Sequence, residues 1–468
     1  MKLTLKISAA IILLLLFSVY GYLYFRESRS YHQQVAKNAS VVYKLNVDGL
    51  LKTLAIDFAG NPGYYLKTNE KEGQRPDFSL PANIFVYSLE TSAPGTFYSG
   101  LALSDTTGLN AWLKRMLKVR DFEGRGTEAP SEGGAGQGVG RTIGTSADRK
   151  IRVAYDGKTL AIAYSFRKEA VLEELNDILD RKNRMEEAAP LMIALKKAKG
   201  HLSWTSETYT GQLNFKDGLA VIEGSFPTKG LDIPDQPQSF VKFADNALIK
   251  VWVNAGFTSS WIPKELSLKG VSLQTDSLLK SYLGFASLEM GPAITQIDSL
   301  IAYEYNDDFE KVATVQLKKQ KVPKLKLSLA ARTVDLLTYL EAKQVIGLGK
   351  AVSPDKGLHA DNRLNKELFP LYQVYSRTKG DIWQLSTQEN DPINRSGSVA
   401  RQQSDFFSAA ADLKGIRATE LFPLLNSWLQ PFSQLKIKAG KIDSGTARLN
   451  GTLEFENKSV NAFMQLIR

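Results

Sequence analysis

Residues Ile7 to Phe25 read ISAAIILLLLFSVYGYLYF, nineteen positions without a charge, with Lys2 and Lys6 before them and Arg26 and Arg29 after. Such a run restricts what the chain can become. A helix needs about 20 apolar residues to cross a hydrocarbon core of roughly 30 Å, and flanking side chains snorkel over a small shortfall. The membrane-anchor positions are Ile7, Ile11, Ile12, Leu13, Leu14, Leu15, Leu16 and Phe17, with Tyr20, Tyr22 and Tyr24 crowding the C-terminal end as an interfacial belt. The basic start stays on the cytoplasmic side, so an anchor over residues 1–30 leaves the bulk of the chain outside. The rival reading is a cleaved signal peptide, with Val19-Tyr20-Gly21 as its best cleavage site and a greasy mature start. No second run of this kind occurs, so the expectation is a single pass.

Absence of cysteine removes disulfides, thiolate metal sites, iron–sulfur clusters, cysteine nucleophiles and lipobox acylation together. A large extracytoplasmic part without disulfides must rest on core burial, and a chain of 468 residues with 43% hydrophobic composition has enough for two or three domains. This suits a bacterial envelope, where the triplets opening at Asn38, Asn394, Asn450 and Asn457 are chance rather than glycan acceptors. Net charge is +10, of which the first thirty residues carry +3, and the remaining +7 is spread out. The densest basic stretch, Lys318-Lys319-Gln320-Lys321 with Lys324 and Lys326, lies between the strand-like runs Val312–Leu317 and Leu325–Leu329. It reads as a solvated hairpin turn or a charge-guarded strand edge, against a headgroup or nucleic-acid patch. Interleaved aromatics for base stacking are missing, so no nucleic-acid partner is expected.

Beyond the anchor one pattern recurs: a strand, a short polar turn, then Asp or Thr followed by Leu at +3 and an apolar residue at +6. It opens at Asp48, Thr106, Asp276 and Thr333, with a looser form at Leu421-Phe-Pro-Leu424-Leu425. The oxygen-bearing side chain is suited to cap the first turn, and the apolar positions share one helical face for a sheet to cover. The spacing is irregular, which excludes a solenoid. Two stretches are strand-rich, 201–226 and 435–455, with turns expected at Lys216-Asp217-Gly218, Ala439-Gly440 and Asn450-Gly451. A Pro- and Gly-rich break at 227–237 separates a first half, 31–230, from a second, 231–468. Phe122–Arg149 with its glycines and Gln388–Ser404 read as loop excursions.

The reactive signatures fail. Gly140-Arg141-Thr142 lacks the P-loop lysine. His32, His201 and His359 lie far apart, with no helical zinc pair. Ser-x-x-Lys begins at Ser165, Ser239, Ser277, Ser353, Ser376 and Ser433, and no Lys-Thr-Gly strand accompanies it. The acid pairs Glu173-Glu174 and Asp307-Asp308 have the chemistry of glycoside hydrolysis, but adjacent carboxylates usually serve as a solvated face. No cofactor and no metal are expected.

The bare anchor, the strand-then-helix units and the ending Gly451-Thr-Leu-Glu-Phe-Glu-Asn-Lys-Ser-Val-Asn461-Ala-Phe resemble uncharacterised single-pass, membrane-anchored extracytoplasmic proteins of the Bacteroidetes type, a domain of unknown function. The resemblance implies an α+β fold and an envelope location, and transfers no functional position. The expectation is therefore an α+β ectodomain of mainly antiparallel sheets with short capped helices in two pseudo-repeated halves. Its place is the bacterial inner membrane, with the C-terminal bulk periplasmic. Its role is a non-catalytic binding or scaffold module, touching membrane lipid through the N-terminal helix and an envelope protein or glycan through the rest. The alternatives are a carrier of lipid or another apolar ligand, and a hydrolase of envelope glycan or peptide.

Overall fold

The computed structural model describes residues 21–66, 80–125, 140–234, 243–258, 263–305, 309, 311–347, 362–393 and 405–467. The protein is α+β, and its strands pair antiparallel. The chain divides into two compact units, residues 1–217 with 459–461, and residues 218–458 with 462–468.

A helix over residues 21–30 (α1) leads into the first unit. Its strands are β1 (Ala39–Asn46), β2 (Asn83–Leu89), β3 (Thr96–Ala102), β4 (Val119–Arg125), β5 (Arg141–Ser146), β6 (Ile151–Tyr155), β7 (Thr159–Ser165), β8 (Leu202–Ser206) and β9 (Thr210–Lys216). Pairing sets the order β9-β8-β1-β2-β3-β7-β6-β5-β4. The helices are α2 (Val47–Gly60), α3 (Pro62–Tyr65), α4 (Leu109–Met116), α5 (Leu172–Asp180) and α6 (Pro190–Lys197). In β2, Asn83, Phe85, Tyr87 and Leu89 point inward in strict alternation, as a sheet with one covered face requires. Leu175, Ile178 and Leu179 of α5 and Met192 and Leu195 of α6 close over Phe85 and Tyr87. Burial of each such side chain contributes about 1.5–3 kcal/mol. Gly100 on β3 permits this approach, since a Cβ there would stand 2.9 Å from Ile178 Cγ2.

The second unit holds β10 (Leu219–Pro227), β11 (Leu231–Asp232), β12 (Ile249–Asn254), β13 (Gly256–Phe257), β14 (Glu265–Leu268), β15 (Val271–Gln274), β16 (Tyr282–Tyr305), β17 (Lys311–Ala331), β18 (Ile346–Gly347), β19 (Asn362–Leu364), β20 (Tyr375–Lys379), β21 (Ile382–Ser386), β22 (Asp405–Asp412), β23 (Phe432–Lys441) and β24 (Thr446–Phe455). Its main sheet runs β10-β24-β23-β22-β12-β16-β17-β21-β20-β19-β18. Short pairs β11–β13 and β14–β15 stand apart. The helices are α7 (Thr275–Ser281), α8 (Thr333–Ala342), α9 (Leu413–Ala418), α10 (Pro423–Leu429) and α11 (Ala462–Leu466). Leu336 and Leu340 of α8 pack on Trp383 and Ile346, and Leu413 and Ile416 of α9 on Met290.

Several local expectations change. The basic stretch 318–326 is not a turn: it lies inside β17, paired with β16 across one bulge between Gly291 and Ala293. The last hairpin turns at 442–445, where Gly445 N donates to Asp443 Oδ1 at 2.8 Å, rather than at Gly440 or Gly451, which stay in strands. Asp-Ser-Gly supplies side-chain turn chemistry, whereas Gly451 sits between two flanking strands. Asn46, not Asp48, caps α2, because it is the residue that leaves β1 with extended backbone, and its side chain accepts from Gly49 N at 2.8 Å. Asp412 repeats this cap on Gly415 N at 2.9 Å and starts α9, a helix the pattern missed. Helices α4, α7 and α8 start without a side-chain cap. Leu424 and Leu425 of α10 are exposed instead of packed. Strands β4 and β5 extend into the glycine-rich segment as a hairpin through Gly124 and Gly144; residues 126–139 and 394–404 lie outside the described residues.

Candidate functional site

The cleft with convergent ionisable groups lies in the first unit, where the N-terminal half of α5 meets β2, β3 and the turn after β7. It encloses about 660 Å³ and is lined by Glu169, Glu173, Glu174, Asp177, Tyr98, Ser92 and Lys37, among others. Tyr87 is the anchor. It is fully buried, points inward by the alternation of β2, and donates from its hydroxyl to Glu174 Oε1 at 2.6 Å. Its ring stacks on Tyr98 at 5.7 Å between centroids, and Tyr98 Oη lies 3.0 Å from Ser92 Oγ. A buried tyrosine needs a hydroxyl partner, and α5 delivers one.

Glu169 is held from below: its backbone N donates to Ser165 Oγ at 3.3 Å, and its Oε2 accepts from Ala93 N at 3.0 Å. Its other oxygen, Oε1, is buried and meets no donor among the described residues. Asp177 Oδ2 accepts from Asn183 Nδ2 at 2.9 Å. Burial raises the Glu174 carboxyl above the ordinary carboxylate range; the Tyr87 bond opposes this, and Asp177 and Glu173 add to it. Burial and the nearby Glu174 charge likewise hold the Tyr87 hydroxyl far above its usual value. The site thus gathers carboxylates around a buried acceptor that lacks a donor among the described residues, which is chemistry for holding a cationic group.

Other candidates resolve as structural. Lys44, buried on β1, donates to Leu195 O at 2.5 Å, Ala198 O at 2.6 Å and Tyr31 Oη at 3.4 Å. Burial lowers its pKa to about 8, yet all three of its N–H bonds serve the C-terminal carbonyls of α6 and Tyr31. His201 accepts from Phe215 N at Nδ1 (2.9 Å) and meets Thr53 Oγ1 at Nε2 (3.0 Å), so it is a neutral packing residue, with its pKa lowered by burial. Ser376 Oγ accepts from Trp383 Nε1 at 2.8 Å, and Ser165 Oγ lies 3.0 Å from Thr96 Oγ1. Ser433 meets Lys458 Nζ at 3.2 Å, but that ammonium is also paired with Glu454 at 2.8 Å. His359, Ser239, Ser353, Asp307 and Asp308 lie outside the described residues.

Of the anchor positions, Ile7 to Tyr20 also lie outside the described residues, while Tyr22 and Tyr24 sit exposed on α1. Among the described residues no helix is long and apolar enough to cross a membrane, and no group of three His, Asp or Glu could hold a metal ion. Arg26 fastens α1 to the first unit through Asp48 (3.1 Å) and Leu80 O (2.6 Å).

No protein-family model and no curated protein matches the chain. Two solved structures, crystal forms III and I of TP0453, align with 75% and 76% of this chain and 90% and 93% of theirs, at 10% identity and a TM-score of 0.22. A likeness at that score carries no argument here.

Proposed function

We propose that the chain is a single-pass, membrane-anchored extracytoplasmic binding module of the bacterial envelope, built from two related halves. The cleft beside α5 is its recognition site, and a cationic group of an envelope partner is what it takes. The observation that carries the recognition is the free buried oxygen of Glu169 amid Glu173, Glu174 and Asp177, a set of acceptors that a lysine, arginine or amine donor satisfies. The uncharged run at 7–25 with its flanking cations supports the anchor. Strand order supports the related halves: replacing β1–β9 in turn by β12 and β16–β23 converts the order of the first sheet into nine consecutive strands of the second, with β24 and β10 added at one end.

The test is calorimetric titration of the full chain, in detergent, with lysine- and arginine-bearing peptides. Binding that weakens about tenfold or more in Glu169→Gln supports the reading; identical affinity in that variant, or no binding, contradicts it. One observation favours a second reading: the raised proton affinity of Glu174 beside other carboxylates is what the general acid of a glycan hydrolase needs. Turnover of an envelope glycan, abolished in Glu174→Gln, would mark that chemistry.

A further inference from the structure

The distal parts of β16 and β17 form a two-stranded arm. β12 follows β16 only to Met290, and β21 follows β17 down to Lys326, with Thr387 N donating to Leu325 O just beyond, so, among the described residues, 291–305 and 311–324 pair as strands only with each other. Facing residues of an antiparallel pair share a side of the ribbon. Ile297 faces Lys319, and side chains alternate along each strand, so Ile297, Tyr303, Val315 and Leu317 lie on one side. They are 55%, 60%, 69% and 70% exposed.

The opposite side is partly covered, with Lys318 left exposed. There Gln296 Nε2 donates to Gln373 O (2.8 Å) and Thr387 O (2.6 Å), Gln320 Nε2 to Leu371 O (2.7 Å), and Asp298 pairs with Lys366 at 2.8 Å. A two-stranded ribbon is marginal in water, and an apolar strip left open on one side calls for a cover. The strip carries its own charge signature. Lys311 Nζ stands 4.6 Å from the centre of the Tyr303 ring, and Lys319 and Lys321, opposite Ile297 and Thr295, are exposed on the same side. Two copies joined through this face would bring these ammonium groups together. Phosphate headgroups would instead neutralise them, while the aliphatic side chains sink below and Tyr303 sits at headgroup level.

We infer that this face of the arm docks on an anionic lipid surface. The inference does not rest on the cleft or on the N-terminal run. The chain has no cysteine, so Leu317→Cys and, on the opposite side, Lys318→Cys each take a single environment-sensitive fluorophore in the full chain, and both positions are exposed enough to accept it. The labelled proteins are mixed with vesicles rich in phosphatidylglycerol or made of phosphatidylcholine alone, and flotation scores anchoring separately. The expected result is a blue shift and quenching by a lipid-borne quencher at position 317 but not 318, with phosphatidylglycerol only, reversed by high salt. An unchanged label at 317 on phosphatidylglycerol vesicles overturns the inference. So does an equal response on phosphatidylcholine, or a blue shift that grows with protein concentration without vesicles, which would make a second copy the cover.

Discussion

The hydroxyl of Tyr87 donates to Glu174 Oε1 at 2.6 Å from within the core of the first unit, tying the central strand β2 to the first turn of α5. Removing the donor leaves a half-buried carboxylate without its support. Tyr87→Phe is expected to raise the Glu174 pKa further and to lower stability by about 1–3 kcal/mol at neutral pH. Urea unfolding at neutral and acidic pH checks this, with the loss shrinking once the carboxyl is protonated.

Glu174 itself opposes folding above its raised pKa. Between the ordinary carboxylate value and the raised one, the native state keeps a proton that the unfolded chain has given up. Stability contributed by this group therefore falls as pH rises through that window. Glu174→Gln keeps an acceptor for Tyr87 and abolishes the titration, so its unfolding free energy should be flatter with pH and higher than the parent's at neutral pH.

Lys44 gives the inverse window. Its folded pKa of about 8 lies below the ordinary lysine value of 10.5, so between the two the unfolded chain holds more protons. Stability from this group rises as pH climbs from about 8 to about 10.5. Lys44→Met should lack that rise, and denaturant midpoints measured across the interval read it directly.

Asp57, buried on α2, holds the segment 459–461 to the first unit. Its Oδ1 accepts from Asn61 Nδ2 and its Oδ2 from Asn461 N, both at 2.8 Å, and Tyr65 donates to Oδ2 as well. Asp57→Ala is expected to cost at least about 2 kcal/mol, since charge-assisted bonds are lost and buried donors stranded. Hydrogen exchange at the Asn461 amide should quicken more than exchange in the β2 core.

Much of this architecture is legible from the chain. The alternation of Asn83, Phe85, Tyr87 and Leu89, and the i, i+3, i+4 spacing in α4, α5 and α8, are local patterns, and local patterns fix strands and amphipathic helices. Cap positions shifted because the strand's end, at Asn46 or Asp412, decides where a helix starts. The β17 lysines looked like a turn because charge there interrupts an apolar run, yet cross-strand pairing with β16 outweighs a local preference for solvent. The cleft was half visible. Glu173 and Glu174 stood out as a pair but read as a solvated face, and the meeting of Glu174 with Tyr87 joins residues 87 positions apart in sequence, which no local period records. The one available signal was a tyrosine at an inward strand position, whose hydroxyl must find a partner.

The most direct test of the cleft as a cation site is the proton balance of binding. A cation seated beside Glu174 favours its ionised form and drives off the proton that burial retains. Titrating a lysine- or arginine-bearing peptide into the full chain, in two buffers of different ionisation enthalpy near the raised Glu174 pKa, measures the protons exchanged. The expected result is net proton release that disappears in Glu174→Gln. Binding with no proton release, or release unchanged in that variant, would contradict it.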